Sequence, residues 1–302
     1  MPNWHLSNGE RQVKKLTNKY GFSLLMNKRI SRKKFIIDAF TLLAATFALD
    51  AFWLEKFFIE TNEFYLGNAT GKTENLRVIQ VADLHLQKIQ LQHELLAKRI
   101  NKIKPDLILF TGDSVDRGSK MDLFNEYLTL FDHNIKKVAI LGNREYSQDI
   151  NIDKLKAIYA RHNGELMINH SKVYKFGRDT ISITGIDDFY RGNADFPLAM
   201  SQYTPADHHI VLSHCPAHRD IISKQQGDVP IDCVLSGHTH GGQITFFGYA
   251  PYTPGGSGRY VRGWYRDQDP PLYVSKGIGT TALPIRFGSR AEIAIFNLKR
   301  RV

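Results

Sequence analysis

The sequence predicts an α/β fold in which two packed sheets are flanked by helices. Two observations carry this. From Leu76 onward, short apolar runs of strand length alternate with segments whose apolar residues recur at helical spacing. Five of those runs also end alike, in turns rich in carboxylate, amide and imidazole side chains.

In chain order, residues 76–82 lead into Asp83-Leu84-His85, and residues 106–110 into Gly112-Asp113. Residues 137–141 lead into Gly142-Asn143-Arg144-Glu145, and residues 209–212 into Ser213-His214-Cys215. Residues 231–235 close on Gly237-His238-Thr239-His240-Gly241-Gly242-Gln243. Between them, residues 90–103 place Leu91, Leu95, Leu96, Ile100 and Ile103 on one helical face, stopped by Pro105. Residues 121–131 repeat the pattern with Leu123, Phe124, Tyr127, Leu128 and Phe131, and a third helix is expected over residues 152–161. Residues 173–176 and 180–186 read as paired strands around Gly177-Arg178-Asp179. Further strands are expected at 243–247, 272–275 and 291–298.

Two stretches, 187–205 and 248–271, have no such pattern. The second is dense in Gly, Pro, Tyr and Arg, including Tyr252, Arg259, Tyr260, Arg262 and Trp264. Loops of this length and aromatic content shape binding clefts.

The 302 residues and 42% hydrophobic content suit one catalytic domain of substantial core, placed at residues 75–302, behind an N-terminal extension. Cys215 and Cys233 lie in apolar contexts and form no disulfide framework, so both read as reduced structural thiols. The formal charge of +10 calls for an anionic partner. Much of it lies in a basic arm, residues 1–34, where Glu10 is the sole acid among Arg11, Lys14, Lys15, Lys19, Lys28, Arg29, Arg32, Lys33 and Lys34. A basic segment placed directly before an apolar one points to a membrane surface through residues 1–60 rather than to nucleic acid, and no nucleic-acid motif is present.

Residues 35–54 are strongly apolar and about 20 residues suffice to span a bilayer. Asp38 and Asp50 count against a clean span, while Phe52, Trp53, Phe57 and Phe58 suit an interface. Ser31-Arg32-Lys33-Lys34-Phe35 is near a twin-arginine export signal, but its second arginine is a lysine and no clear cleavage site follows. A span, an interfacial helix and a degenerate export signal all remain open, and residues 35–60 are read as a membrane-attachment helix.

Two histidines one residue apart after a strand can aim both imidazoles into one pocket, and imidazole is the commonest nitrogen ligand for divalent metals. Turn propensity of Gly, Asp and Asn explains one or two of the five strand ends, but not all five in this order. Asp-x-His, Gly-Asp-x-x-Asp-Arg, Gly-Asn-x-Glu, a lone His and Gly-His-x-His together resemble the calcineurin-like metallophosphoesterase superfamily. Gly277-Ile278-Gly279-Thr280 with Leu283-Pro284-Ile285-Arg286-Phe287 is similar to a membrane-associated bacterial subgroup.

The resemblance implies a four-layer αββα sandwich and two divalent metal ions, Mn²⁺ first, with Fe or Zn²⁺ as other options. It implies Asp83, His85 and His240 at one metal, Asn143, His214 and His238 at the other, and Asp113 bridging them. Asp116 follows the family pattern of an aspartate that orients a histidine or a loop, although an exposed turn residue is an equal reading of it.

Arg144 departs from the commonest family pattern, in which most members have histidine there. A guanidinium stays protonated and is a poor general acid, but its planar fork suits two phosphate oxygens. The same Gly-Asn-Arg-acid form is found in UDP-diacylglucosamine pyrophosphatases of lipid A biosynthesis, which yield UMP and the lipid monophosphate. The resemblance therefore implies a lipid-linked nucleotide substrate held by Arg144, at the cytoplasmic face of the inner membrane. Because a span would place the catalytic domain outside, attachment is expected to be interfacial or re-entrant. The alternatives are a membrane-associated phosphodiesterase or phosphatase for another lipid or wall precursor, an inactive scaffold, and a nucleic-acid-processing relative.

Overall fold

The computed structural model describes residues 31–50, 54–67 and 76–299. Most of the basic arm, together with Phe52 and Trp53, lies outside these described residues. The chain divides into two units, Met1–Phe47 and Ala48–Val302. In the first, the helix Arg32–Leu49 begins within the basic run and carries the exposed apolar side chains Phe35, Ile36, Phe40, Leu42 and Leu43. Among the described residues, no helix is long and apolar enough to cross a membrane.

The second unit holds two six-stranded sheets. The first has the order β1 (Glu60–Leu66), β12 (Glu292–Leu298), β2 (Leu76–Val81), β3 (Leu107–Thr111), β4 (Lys136–Ile140), β5 (Gly164–Met167). The second has the order β10 (Gly263–Tyr265), β11 (Leu272–Val274), β9 (Cys233–Ser236), β8 (His208–Leu212), β7 (Asp179–Gly185), β6 (His170–Phe176). Strands β2 to β5 run parallel, as do β7, β8, β9 and β11.

Strand alternation sorts the apolar residues into layers. Val78, Leu107, Leu109, Val138 and Ile140 of the first sheet meet Ile181, Ile183, Ile210, Leu212 and Leu235 of the second in one buried cluster. Their neighbours Ile79, Val81, Ile108, Phe110 and Ala139 face outward, onto the helices Leu91–Ile103, Met121–Leu128 and Ile152–Arg161. On the far side, Val211, Val234 and Val274 pack with Phe196 and Ile222 of the helices Phe196–Met200 and Arg219–Gln225. Helix, sheet, sheet, helix is the expected four-layer sandwich.

Parallel strands put all their C-terminal ends at one edge, where ligands of such sheets gather. Asp83, Asp113, Asn143, His214 and His238 each follow the end of β2, β3, β4, β8 or β9 by a few residues.

Three local expectations differ from the structure. The sheet reaches back to β1, which pairs in parallel with β12, whereas the sequence places its catalytic domain from residue 75. Its apolar alternation is interrupted by Asn62, whose amide donates to Glu292 Oε2 at 2.6 Å instead of packing in a core. Residues 243–247 form no strand, only the bridges Ile244 to Phe287 and Phe246 to Tyr249, because Gln243, Phe247 and Gly248 take positive φ. Both unpatterned stretches hold short elements: 187–205 contains the helix Phe196–Met200, capped by Asp195 accepting from the Leu198 N–H at 2.9 Å, and 248–271 contains β10.

Candidate metal centre

The chain turns abruptly as each strand ends. Asp83, His85, Asp113, His238 and His240 all have positive φ, between 44° and 72°, a conformation that costs non-glycine residues stability and clusters at functional sites. Hydrogen bonds between the turns hold it. The His85 N–H donates to Asp113 O at 2.9 Å, and the His238 N–H lies 2.9 and 3.0 Å from the two Asp83 carboxylate oxygens. Gly112 and Gly142 are required by space: a Cβ on the first would meet the His214 ring, and on the second Asp113 Oδ1.

The seven sequence-predicted ligands converge as two groups joined by one carboxylate. His85 Nε2 and His240 Nε2 are 3.1 Å apart, with Asp83 Oδ1 3.9 Å from the latter. Asn143 Oδ1 lies 2.9 Å from His238 Nδ1 and 3.3 Å from His214 Nε2, and the two ring nitrogens are 3.2 Å apart. Between the groups, Asp113 Oδ2 is 3.4 Å from His85 Nε2 and 3.5 Å from His214 Nε2. Asp83, His85 and His240, and Asp83, Asp113 and His214, each bring ligand atoms within 4.8 Å of one another.

The outward partners of these rings fix which nitrogens are bare. His214 Nδ1 lies 2.8 Å from the Thr111 carbonyl, which can only accept, so Nδ1 carries the hydrogen and Nε2 is free. His238 Nε2 donates likewise to the Gly255 carbonyl at 2.7 Å, leaving Nδ1 free. His85 Nδ1 faces the Asp116 carboxylate at 3.4 Å, leaving its Nε2 toward the site. Bare imidazole nitrogens, an amide oxygen and a shared carboxylate therefore crowd together with lone pairs facing one another. That donor set fits divalent cations, and the Asp116 carboxylate stands on the outer side of His85, where partners of metal-binding imidazoles are found.

The carboxylates compete for these nitrogens: against the pull of burial, Asp113 raises His214 well above the ordinary histidine range and Asp116 raises His85, so a cation binding there displaces protons. Burial pushes the Asp83 carboxyl up to about 6. Asp113 is also opposed by burial, yet His214 and His85 hold it below the usual carboxylate range. Burial, with the neighbouring charge of His214, presses His238 down to about 4. Burial, His85 and then the Arg286 guanidinium hold His240 well below the ordinary histidine range.

Sequence reasoning quoted Glu145 and Gln243 as motif letters and missed their work. Glu145 is buried and accepts backbone N–H groups from Gly142 (2.8 Å), Asp113 (3.1 Å), Ser114 (2.8 Å) and Val115 (3.4 Å). It ties the two ligand-bearing turns together, and burial and then Asp113 push its carboxyl up to about 7 against the pull of those donors. Gln243 Oε1 accepts from the Thr281 N–H at 2.9 Å while its Nε2 donates to the Thr281 and Leu283 carbonyls, each at 2.9 Å.

That clamp sets a wall of a cavity of about 480 Å³, which opens beside Asp113, Asn143 and His238 and is lined by Arg144, Tyr252, Thr281 and Leu283. Arg144 Nη2 donates to Thr281 Oγ1 at 2.6 Å, and its backbone N–H to Asp113 Oδ1 at 2.8 Å. The remaining guanidinium N–H groups have no acceptor among the described residues. The 248–271 loop reaches the centre through Gly255, and the 187–205 stretch does so through Tyr190, whose ring is 6.4 Å from that of His238.

Comparison with known proteins agrees with this geometry. The family model for calcineurin-like phosphoesterases matches residues 76–242. The chain belongs to that family. As a calcineurin-like phosphoesterase it is a metal-dependent hydrolase of phosphoric esters, with Asp83, His85, Asp113, His214 and His240 as candidate residues for divalent cations. The metallophosphoesterase YkuE of Bacillus subtilis is 31% identical over 295 residues, covering 90% of this chain and 99% of the relative. An Aquifex aeolicus metallophosphoesterase is 30% identical over 278 residues, 85% of this chain and 97% of its own. The UDP-2,3-diacylglucosamine pyrophosphatase LpxG of Chlamydia trachomatis is 28% identical over 217 residues, 56% of this chain and 65% of its own.

Proposed function

We propose that this phosphoesterase hydrolyses the pyrophosphate of UDP-2,3-diacylglucosamine to UMP and 2,3-diacylglucosamine 1-phosphate. The observation that carries the reading is Arg144, a guanidinium beside the ligand cluster in the position where most of the family has histidine, with its fork lining the cavity. The likeness to a relative named for that substrate supports it.

In this reading Asp83, His85 and His240 would hold one cation and Asn143, His214 and His238 the other, with Asp113 placed between them to serve both. Carboxylate, amide and imidazole donors suit Mn²⁺, with Fe and Zn²⁺ the other candidates. A pair of such cations supplies Lewis acidity, acidifying water and neutralising charge on phosphoryl oxygens. Hydrolysis adds one water across the P–O–P linkage. Arg144 binds oxygens of the second phosphate and offsets the charge that builds as the linkage breaks, without giving up a proton. Its bond to Thr281 Oγ1 fixes one side of the guanidinium, so that the fork is oriented before substrate arrives.

Attachment at the cytoplasmic face of the cell membrane through residues 1–60 completes the proposal. The exposed apolar side chains of the helix Arg32–Leu49 and the basic run before it support that placement.

The test is product analysis with UDP-2,3-diacylglucosamine, Mn²⁺ and detergent. Wild type should release UMP and the lipid monophosphate, EDTA should abolish release, and Arg144→His should lower kcat/KM at least about tenfold, the worth of one charge-assisted contact. Wild type that cleaves a generic phosphodiester but leaves this substrate intact would remove the assignment and keep the metal centre.

A further inference from the structure

Beside the cavity mouth the chain presents an aromatic tip that the catalytic reading does not use. Phe246 and Tyr249 close a tight turn with reciprocal backbone hydrogen bonds of 2.9 Å, leaving Phe247 and Gly248 at its apex. Both apex residues have positive φ, and Phe247 is fully exposed. Phe246 is 48% exposed, Tyr249 71% and Tyr252 74%, so most of this aromatic surface is uncovered. Exposing several neighbouring aromatic rings is costly unless something covers them.

The turn is anchored rather than loose. The Thr245 hydroxyl donates to the Gly288 carbonyl at 2.8 Å, the Thr245 N–H to Phe287 O at 2.7 Å, and the Phe246 ring lies 5.6 Å from that of Phe287. Arg262 braces the same segment, its Nη1 donating to Gly288 O at 2.7 Å while Nη2 comes near Gly248. No carboxylate among the described residues pairs with Arg262. The tip therefore combines exposed aromatic rings with an unneutralised guanidinium, the pairing that suits an anionic lipid–water interface. Apolar surface continues inward along Tyr252 and Leu283, which line the cavity and are themselves largely exposed.

We propose that the Phe246–Tyr249 turn is a second membrane contact, inserting into an anionic bilayer so that the cavity mouth opens at headgroup depth. The inference deepens the membrane-attached reading above, and rests on it in taking the substrate from a bilayer. A cavity of about 480 Å³ suits a headgroup and leaves acyl chains outside. With the mouth seated at the interface, those chains stay in the lipid and only the phosphates enter.

Cys215 and Cys233 are both buried, so an engineered surface cysteine can be labelled selectively. The experiment uses the full chain with Phe247→Cys carrying an NBD fluorophore, and Arg178→Cys as the comparison. Residue 178 lies in the turn between β6 and β7, at the end of the sheet opposite the ligand turns. With phosphatidylcholine–phosphatidylglycerol vesicles, the probe at 247 should shift to the blue, brighten severalfold and be quenched by nitroxide-labelled lipid. The probe at 178 should not respond. No response at 247, or an equal response at 178, overturns the contact; an equal response at 247 on pure phosphatidylcholine overturns its anionic character. The readout needs no turnover, so failure to hydrolyse UDP-2,3-diacylglucosamine and failure to insert are separate results.

Discussion

At the residue scale, Asp113 and Glu145 divide the task of holding the centre together. Asp113 sits between the two ligand groups, while Glu145 collects the N–H groups of the turns that carry Asp113 and Asn143. Hydrogen bonds to a charged acceptor are worth about 1.5–3 kcal/mol each, and donors left bare in a buried site cost a comparable amount. Glu145→Ala is therefore expected to lower unfolding free energy by on the order of 3 kcal/mol and to weaken cation binding about 10–100-fold. Chemical denaturation and a competitive metal titration measure both. Glu145→Gln should recover only part of either, since its amide NH₂ faces donors that need an acceptor. Unchanged metal affinity in the alanine variant would show that the turns hold their shape alone. The seven ligand side chains were legible in the sequence because they cluster at five strand ends, two of which carry a pair. The Gln243–Thr281 clamp was not, because it joins residues 38 apart that no local pattern links.

At the element scale, most of the buried strands could be read from short apolar runs and the three long helices from periodicity, to within a few residues at their ends. What escaped were elements whose polar atoms are satisfied by distant partners, such as β1 with Asn62 against Glu292. The 243–247 run misled because its apolar residues cover no core and instead form the exposed tip. Strand β8 supplies a pH prediction. His209 is buried, with Nδ1 donating to the Pro230 carbonyl at 3.1 Å and Nε2 accepting from the Thr184 hydroxyl at 2.9 Å. Burial pushes it down from 6.5 to about 4. Between those values the unfolded chain binds more protons than the folded one, so stability rises with pH there and falls as the solution is acidified. The urea midpoint should drop as pH goes from 6.5 toward 4, with His209 contributing on the order of 3 kcal/mol. His209→Gln should flatten part of that slope; an unchanged slope would place the acid sensitivity elsewhere.

At the scale of the whole molecule, two sheets pressed face to face bring five strand ends from both to one edge, and the sandwich positions a metal centre that neither sheet holds alone. Val138 and Ile140 of the first sheet against Ile210 and Leu212 of the second set the spacing at which Asn143 meets His214. Sheets flanked by helices follow from the mixture of strand runs and helical periodicity and the four layers from the family resemblance, whereas the distance between the sheets is a property of packing that no single segment encodes. The central claim is that this edge binds two cations through the shared Asp113. Metal content of the purified chain by mass spectrometry, after loading with Mn²⁺ and removing the excess, tests it most directly. Wild type should hold two equivalents per chain, and Asp113→Asn fewer than one, with hydrolysis of any phosphoester lost in parallel. One equivalent or none in wild type that turns over fully in EDTA would contradict the account.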